Sequence, residues 1–142
     1  MAHVLEEKGP SEYAVKRISQ DLKLLGHNKI ILKSDNEASI IALKQAIKRR
    51  AEDSEIIMEE SPVGESQSNG EVESTIKQVQ GMFRTIKMST ESRIGDRIIR
   101  SHALIPWLVR HAASLITKYT KGEDGCTAYR RMKGKEFNSQ IA

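Results

Sequence analysis

Two acidic residues, Asp35 and Glu73, stand where a carboxylate can do chemistry. Asp35 comes shortly after the apolar run Ile30–Leu32, and catalytic groups gather at the carboxyl ends of parallel strands. Its side chain suits two roles. It can cap the helix that begins near Glu37, or it can supply oxygen ligands to a divalent cation such as Mg²⁺. The residues alone leave both roles open.

Glu73 lies in the first turn of the longest amphipathic segment. At about 100° per residue, the segment has one apolar stripe that we expect to face a core, formed by Val72, Ile76, Val79, Phe83 and Ile86. Glu73 lies in a neighbouring stripe with Lys77 and Arg84, whereas Glu71 lies about 200° away. The two acids therefore cannot serve one site. Glu73 is either a functional carboxylate or an acid that the helix dipole favours.

The elements that hold these acids are predicted from hydrophobic periodicity and from breaks. We predict, in order, a strand over 2–7, a helix from Ser11 to Gly26, a strand buried on both faces at 29–33, a helix through 40–50 and a second short buried strand at 56–58. A mobile loop over 59–69, the long helix, a connection over 89–95 and a helix over 105–119 follow. This alternation predicts an α/β fold whose first two connections are parallel crossovers.

Composition places the chain among ordinary soluble proteins of one domain, since 38% of its 142 residues are hydrophobic and 30% are charged. No apolar run approaches the roughly 18 residues of a membrane span, and the N-terminus lacks a secretory signal pattern. The single cysteine, Cys126, excludes an internal disulfide. We therefore expect an intracellular protein, nuclear or cytoplasmic, with no membrane partner.

Charge divides unevenly between the two halves of the chain. Residues 1–74 hold 10 Lys and Arg against 14 Asp and Glu, a net −4, and residues 75–142 hold 13 against 5, a net +8. A basic half favours a polyanion partner. Because aromatic residues are few, phosphate contacts should dominate if nucleic acid is bound. The row of Lys77, Arg84 and Lys87 on the long helix is the predicted DNA-binding face.

Several short motifs, taken together, resemble a known family. They are Lys8-Gly9-x-Ser11-x-Tyr13, Ser34-Asp35-Asn36, Gln67-Ser68-Asn69-Gly70-x-Val72-Glu73-Ser74, and Thr127-Ala128-Tyr129 with Gly134-Lys135, and 37 residues separate Asp35 from Glu73. In this order and spacing the chain is similar, over nearly its whole length, to the catalytic core of retroviral and retrotransposon integrases.

The resemblance implies a ribonuclease-H-like fold and an Asp, Asp, Glu metal site. On this match Asp35 corresponds to the second acid and Glu73 to the third, Gln67 and Ser68 to the flexible loop that approaches DNA, and Lys77 to a DNA-contacting residue of the catalytic helix. The implied chemistry is phosphoryl transfer on DNA with two Mg²⁺ or Mn²⁺ ions, which activate the attacking hydroxyl and stabilise the leaving oxygen.

The chain also departs from the family pattern. The family's first acid lies some fifty residues before the second, but only 34 residues precede Asp35, and the sole earlier aspartate, Asp21, falls inside a helix pattern. Glu37 replaces the usual Gly, and Ala128 the usual Pro. We therefore expect residues 1–142 to form a partial, helix-rich integrase core that lacks the first two strands and is inactive alone.

Two other interpretations stay open. The first is a non-enzymatic remnant that binds DNA or forms a homodimer through its later helices, with the segment 104–119, including Trp107 and His111, as the candidate interface. The second is another ribonuclease-H-like nuclease or resolvase, which would share the fold.

Overall fold

The computed structural model of the chain describes residues 1–51, 54–60 and 70–139. Seven elements follow one another in these ranges: α1 (Glu12–Leu25), β1 (Lys29–Ser34), α2 (Ala38–Arg50), β2 (Glu55–Glu60), α3 (Gly70–Ile94), α4 (Leu104–Tyr119) and α5 (Ala128–Lys133). The protein is of mixed α/β class and rich in helix, as the sequence predicts. It contains two compact units, one of residues 5–73 and one of residues 1–4 with the chain from Ser74 onward.

Both ends of α1 are set by the residues that the sequence analysis names. The Ser11 hydroxyl accepts a hydrogen bond from the Ala14 main-chain N–H at 3.2 Å, which satisfies one of the donors that a helix N-terminus leaves unpaired. At the other end Gly26 takes a φ of 71°, and its N–H donates to the Lys23 carbonyl at 3.1 Å. Glycine adopts this left-handed conformation without a steric penalty.

The core of this first unit lies between the helices and one face of a small sheet. β1 and β2 pair in parallel from Lys29 with Glu55 to Ser34 with Glu60, and α2 forms the crossover between them, as predicted. The buried side chains are Ala14 and Val15 from α1, Leu43 and Ile47 from α2, and Ile56 from β2. Helices α1 and α2 thus cover the sheet face that carries Ile56.

Two predictions for the sheet are wrong. Residues 2–7 form no strand, so the first predicted crossover does not exist: Leu5 packs as a partly buried side chain against the core, and Gly9, with a φ of 124°, turns the chain into α1. Burial of both sheet faces is also wrong, because Ile31 is 59% exposed and Ile57 is 36% exposed. In the described residues the sheet has two strands, and helices cover one face.

The long helix α3 is longer and less buried than predicted. None of its described side chains is fully buried. Val79, Phe83 and Ile86 of the predicted apolar stripe are half-buried, whereas Val72 is 58% exposed and Ile76 is 49% exposed. The expectation that the whole stripe faces a core is therefore wrong for the first two turns.

The predicted connection over 89–95 is helical up to Ile94. Its residues contain no helix breaker before Gly95, which takes a φ of 70° and donates its N–H to the Glu91 carbonyl at 2.9 Å. Lys87 and Glu91 also form an ion pair one turn apart, at 2.6 Å, across the predicted boundary. Such pairs stabilise a helix, and this pair supports the helical conformation beyond residue 89, where the helix was predicted to end.

Helix α4 matches its prediction closely, with Pro106 in the first turn and Leu108 and Ala112 buried, although Tyr119 is 49% exposed. Helix α5 was not predicted. The Thr127 hydroxyl caps it by accepting from the Arg130 N–H at 3.1 Å. No helix of the described residues is both long enough and apolar enough to cross a membrane.

Candidate nucleic-acid interface

Asp35 lies at the end of β1, as the sequence predicts, with its side chain exposed. Its main-chain carbonyl accepts a hydrogen bond from the Ser34 hydroxyl at 2.9 Å. The N-cap position of α2 is occupied by Glu37, without a side-chain cap. The capping role for Asp35 is therefore wrong, and its role as a ligand of a divalent cation stays a prediction.

A cation already lies close to that strand end. The Lys8 ammonium group contacts both carboxylate oxygens of Glu37, at 2.9 and 3.2 Å, and the Ser39 hydroxyl donates to the same carboxylate at 2.8 Å. These hydrogen bonds, that of Lys8 first, lower the pKa of Glu37, while the Glu37 hydrogen bond and charge, with a smaller contribution from Asp35, raise the pKa of Lys8. Glu37 thus holds a positive charge beside Asp35.

Glu73 is exposed in the first turn of α3, where the helix dipole favours an acid. The predicted DNA-approaching residues Gln67 and Ser68, and residues 61–69 of the predicted loop, lie outside the described residues. Within the described ranges, no three His, Cys, Asp or Glu side chains are grouped so as to hold a metal ion.

The carboxylates of Asp35 and Glu73 have the oxygen chemistry that Mg²⁺ prefers. Two acids, however, do not complete the three-acid set that the resemblance implies, and Lys8 adds a positive charge beside one of them. The donor set therefore does not fit a site for two ions.

Lys77 and Arg84 are both exposed on α3. At 1.5 Å per residue they lie about 10.5 Å apart along one side of the helix, close to the rise of three base pairs in a DNA duplex. Lys87 differs from them, because its side chain is 28% exposed and pairs with Glu91. The predicted basic row thus consists of two open cations and one that is partly neutralised.

A second group of cations was not singled out from the sequence. Arg93, Arg97, Arg100 and Arg110 are all exposed. Between residues 93 and 110 the sequence holds four arginines, no lysine and a single acid, Asp96, so a local charge count would have found this segment. Arginine is the cation best suited to phosphate, since its planar guanidinium group donates two parallel hydrogen bonds.

The segment from residue 93 to residue 110, the arginine segment, is held to α3 by one carboxylate. Glu91 accepts a hydrogen bond from the main-chain N–H of Ile98 at 2.7 Å, and the Ile98 side chain is only 3% exposed. Asp96 in turn accepts from the main-chain N–H of Arg97 at 2.7 Å. These bonds fix the main chain between α3 and α4 while the neighbouring guanidinium groups point into solvent.

Two other arginines of the same unit are already paired. Arg130 contacts Glu136 at 2.9 Å, and the Nε of Arg131 donates to Asp124 at 3.1 Å. The exposed arginines of this unit outside these two pairs lie between residues 84 and 110, and three exposed lysines, Lys121, Lys133 and Lys135, lie further along the chain.

Comparison with known proteins gives no match, whether with a family model, a curated protein or a solved structure.

Proposed function

We propose that this chain is a DNA-binding domain of integrase descent that binds duplex DNA through phosphate contacts and does not by itself catalyse DNA joining. The observation that carries the proposal is the set of exposed cations on α3, between α3 and α4, and on α4, namely Lys77, Arg84, Arg93, Arg97, Arg100 and Arg110. The ribonuclease-H-like ancestry rests on the resemblance of the motifs around Asp35 and Glu73.

Binding of this kind should be insensitive to sequence and strongly dependent on salt. Each neutralised phosphate contributes about −0.9 to the slope of log affinity against log salt. The test is fluorescence anisotropy with two labelled duplexes of unrelated sequence, titrated between about 50 and 200 mM salt. We expect similar dissociation constants for the two duplexes and a steep loss of affinity over this range.

Two double variants test whether α3 contacts the DNA. Lys77→Gln with Arg84→Gln should weaken binding to both duplexes and reduce the salt slope by about 2. Lys48→Gln with Arg49→Gln is the matched control, because it removes two exposed cations from α2 and should leave the slope unchanged. Equal effects of the two double variants would contradict an interface on α3, and affinity that does not change with salt would contradict phosphate binding altogether.

Catalysis is tested separately, with a strand-transfer assay on labelled duplex in Mg²⁺ or Mn²⁺. We expect no turnover, because the chain supplies two acids for a site that needs three. Joining that is lost in Glu73→Gln would overturn the proposed inactivity. Cleavage without joining, equally dependent on Glu73, would favour the alternative of a ribonuclease-H-like nuclease.

Dimerisation through α4 is a second candidate function, favoured by one aromatic pair. Trp107 is 55% exposed, and its ring stacks on that of His111 with centroids 4.8 Å apart and planes 9° from parallel. A large exposed aromatic side chain is typical of a contact surface. If α4 is the interface, Trp107→Ala should shift sedimentation from dimer to monomer, whereas an unchanged profile would reject it.

A further inference from the structure

The sheet of the first unit has an outer face that the helices of that unit, α1 and α2, leave exposed. Its six side chains are Lys29, Ile31 and Lys33 from β1 and Glu55, Ile57 and Glu59 from β2. Parallel sheets are almost always covered on both faces, and a two-stranded sheet is marginally stable. An outer face with two exposed isoleucines is therefore unusual for this type of sheet.

The charges on this face are sorted by strand. In the parallel register Lys29 lies beside Glu55, Ile31 beside Ile57 and Lys33 beside Glu59. The two charged pairs are exposed ion pairs, with N–O distances of 3.4 Å and 3.6 Å. The face thus has a basic column (Lys29 and Lys33) on β1, an acidic column (Glu55 and Glu59) on β2, and an apolar step (Ile31 and Ile57) between the charged pairs.

This arrangement is complementary to itself under one particular two-fold rotation. If two copies meet face to face about an axis parallel to the strands, β1 of each copy lies over β2 of the other. Lys29 then faces the partner's Glu55, Lys33 faces the partner's Glu59, and the apolar steps meet. An axis across the strands would instead place basic column on basic column, which like-charge repulsion disfavours.

From this complementarity we infer that the outer face of the sheet is a homodimer surface, whose occupant is a second copy of the same face in the parallel-axis orientation. Two-fold interfaces use the same patch on both copies, and sheets that pack face to face keep their strands roughly aligned. In this dimer the isoleucines of the two copies pack against each other, and the lysines and glutamates of both copies alternate around them.

The size of the face predicts a weak dimer. Two strands of six residues present about 20 Å by 10 Å, or about 200 Å² per copy, against about 800 Å² in a typical stable interface. Association is therefore expected at chain concentrations on the order of 100 µM or above. The surface is distinct from α4 and does not depend on DNA binding.

Charge reversal gives a test that separates contact between copies from folding. Lys29→Glu with Lys33→Glu makes the face wholly acidic, and Glu55→Lys with Glu59→Lys makes it wholly basic. We expect the native 16.0 kDa chain to move toward twice its mass in sedimentation velocity as concentration rises. Each reversed variant alone should stay monomeric, and an equimolar mixture of the two should associate.

The mixture is decisive, because a variant that merely misfolds is not rescued by another misfolded variant. Circular dichroism of each variant reports its fold. Arg130→Glu with Arg131→Glu is the matched control, since it reverses two exposed, ion-paired cations elsewhere and should leave association intact. A native chain that stays monomeric, a mixture that does not associate, or loss of association in Trp107→Ala but in neither reversed variant would each overturn the inference.

Discussion

The ammonium group of Lys44 donates a hydrogen bond to the main-chain carbonyl oxygen of Glu59 at 2.9 Å. Lys44 is only 4% exposed, so a lysine from the middle of α2 lies in the core and ties that helix to the end of β2. Burial makes this bond matter for stability, because an unpaired polar group in the interior carries the full cost of its desolvation.

Replacing Lys44 by Ala should therefore reduce the free energy of unfolding by about 1–3 kcal/mol, since the Glu59 carbonyl loses its partner and the side-chain stem is removed. Lys44→Met should lose less, because it retains most of the packing volume. Lys48→Ala, at an exposed position on the same helix, is the control and should change stability by less than about 0.5 kcal/mol. Urea unfolding followed by circular dichroism measures all three, and equal effects of Lys44→Ala and Lys48→Ala would contradict the burial.

Lowering the pH should destabilise the C-terminal end of α3. Hydrogen bonds from Lys87 and from the Ile98 main chain lower the pKa of Glu91 below its ordinary value of about 4.3. A carboxyl group with a depressed folded pKa contributes stability above its unfolded pKa, and loses that contribution as the pH falls through the folded pKa.

The pH dependence of Glu91→Gln isolates this contribution. The native chain should lose stability below about pH 4.3, and the variant, already less stable at neutral pH, should lose less over the same interval. Thermal unfolding at several pH values measures the difference. Glu123→Gln, at an exposed turn position, is the control, and its stability should depend on pH as that of the native chain does. The same pH dependence in Glu91→Gln would contradict a stabilising role for the Glu91 carboxylate.

Proline should be accepted at position 128. Ala128 is the first residue of α5, where proline is favoured because the N–H of that position needs no helical partner. Thr127 precedes it with φ −81° and ψ 156°, an extended conformation compatible with a following proline. Ala128→Pro should leave stability unchanged or raise it by about 0.4–1 kcal/mol. A clear fall in melting temperature would show that the local backbone differs.

The arginine segment should contribute to DNA affinity without adding sequence preference. Arg100→Gln and Arg110→Gln should each weaken binding and reduce the salt slope by about 1, by the same factor for duplexes of different sequence. Arg130→Gln is the control, because that guanidinium group is already paired with Glu136. Loss of affinity for one duplex only would indicate contacts to base edges instead.

Local signals predicted the local structure well. The serine and glycine that bound α1 act within a few residues of their own position, and the crossover from β1 through α2 to β2 follows from alternating periodicity. Burial could not be read in the same way. A run such as Ile30-Ile31-Leu32 is apolar on both faces, yet whether a second face is covered depends on elements distant in sequence, and helices cover one face here.

Two further differences have separate causes. The strand predicted over 2–7 needed a pairing partner, which the described sheet does not provide. Lys44 was overlooked because it is charged, although it falls on the same helical stripe as Ile40 and Ile47. Of the predicted site, Asp35 lies at its strand end and Glu73 in its helical first turn, but their shared catalytic role depends on a third acid that no local pattern supplies.

The boundary between the two units falls inside α3, between Glu73 and Ser74. The described side chains there make few buried contacts, and Val72 is 58% exposed, so fraying of this first turn gives up little packing. The first turn of α3 is therefore stabilised mainly by its own helical hydrogen bonds and not by packing.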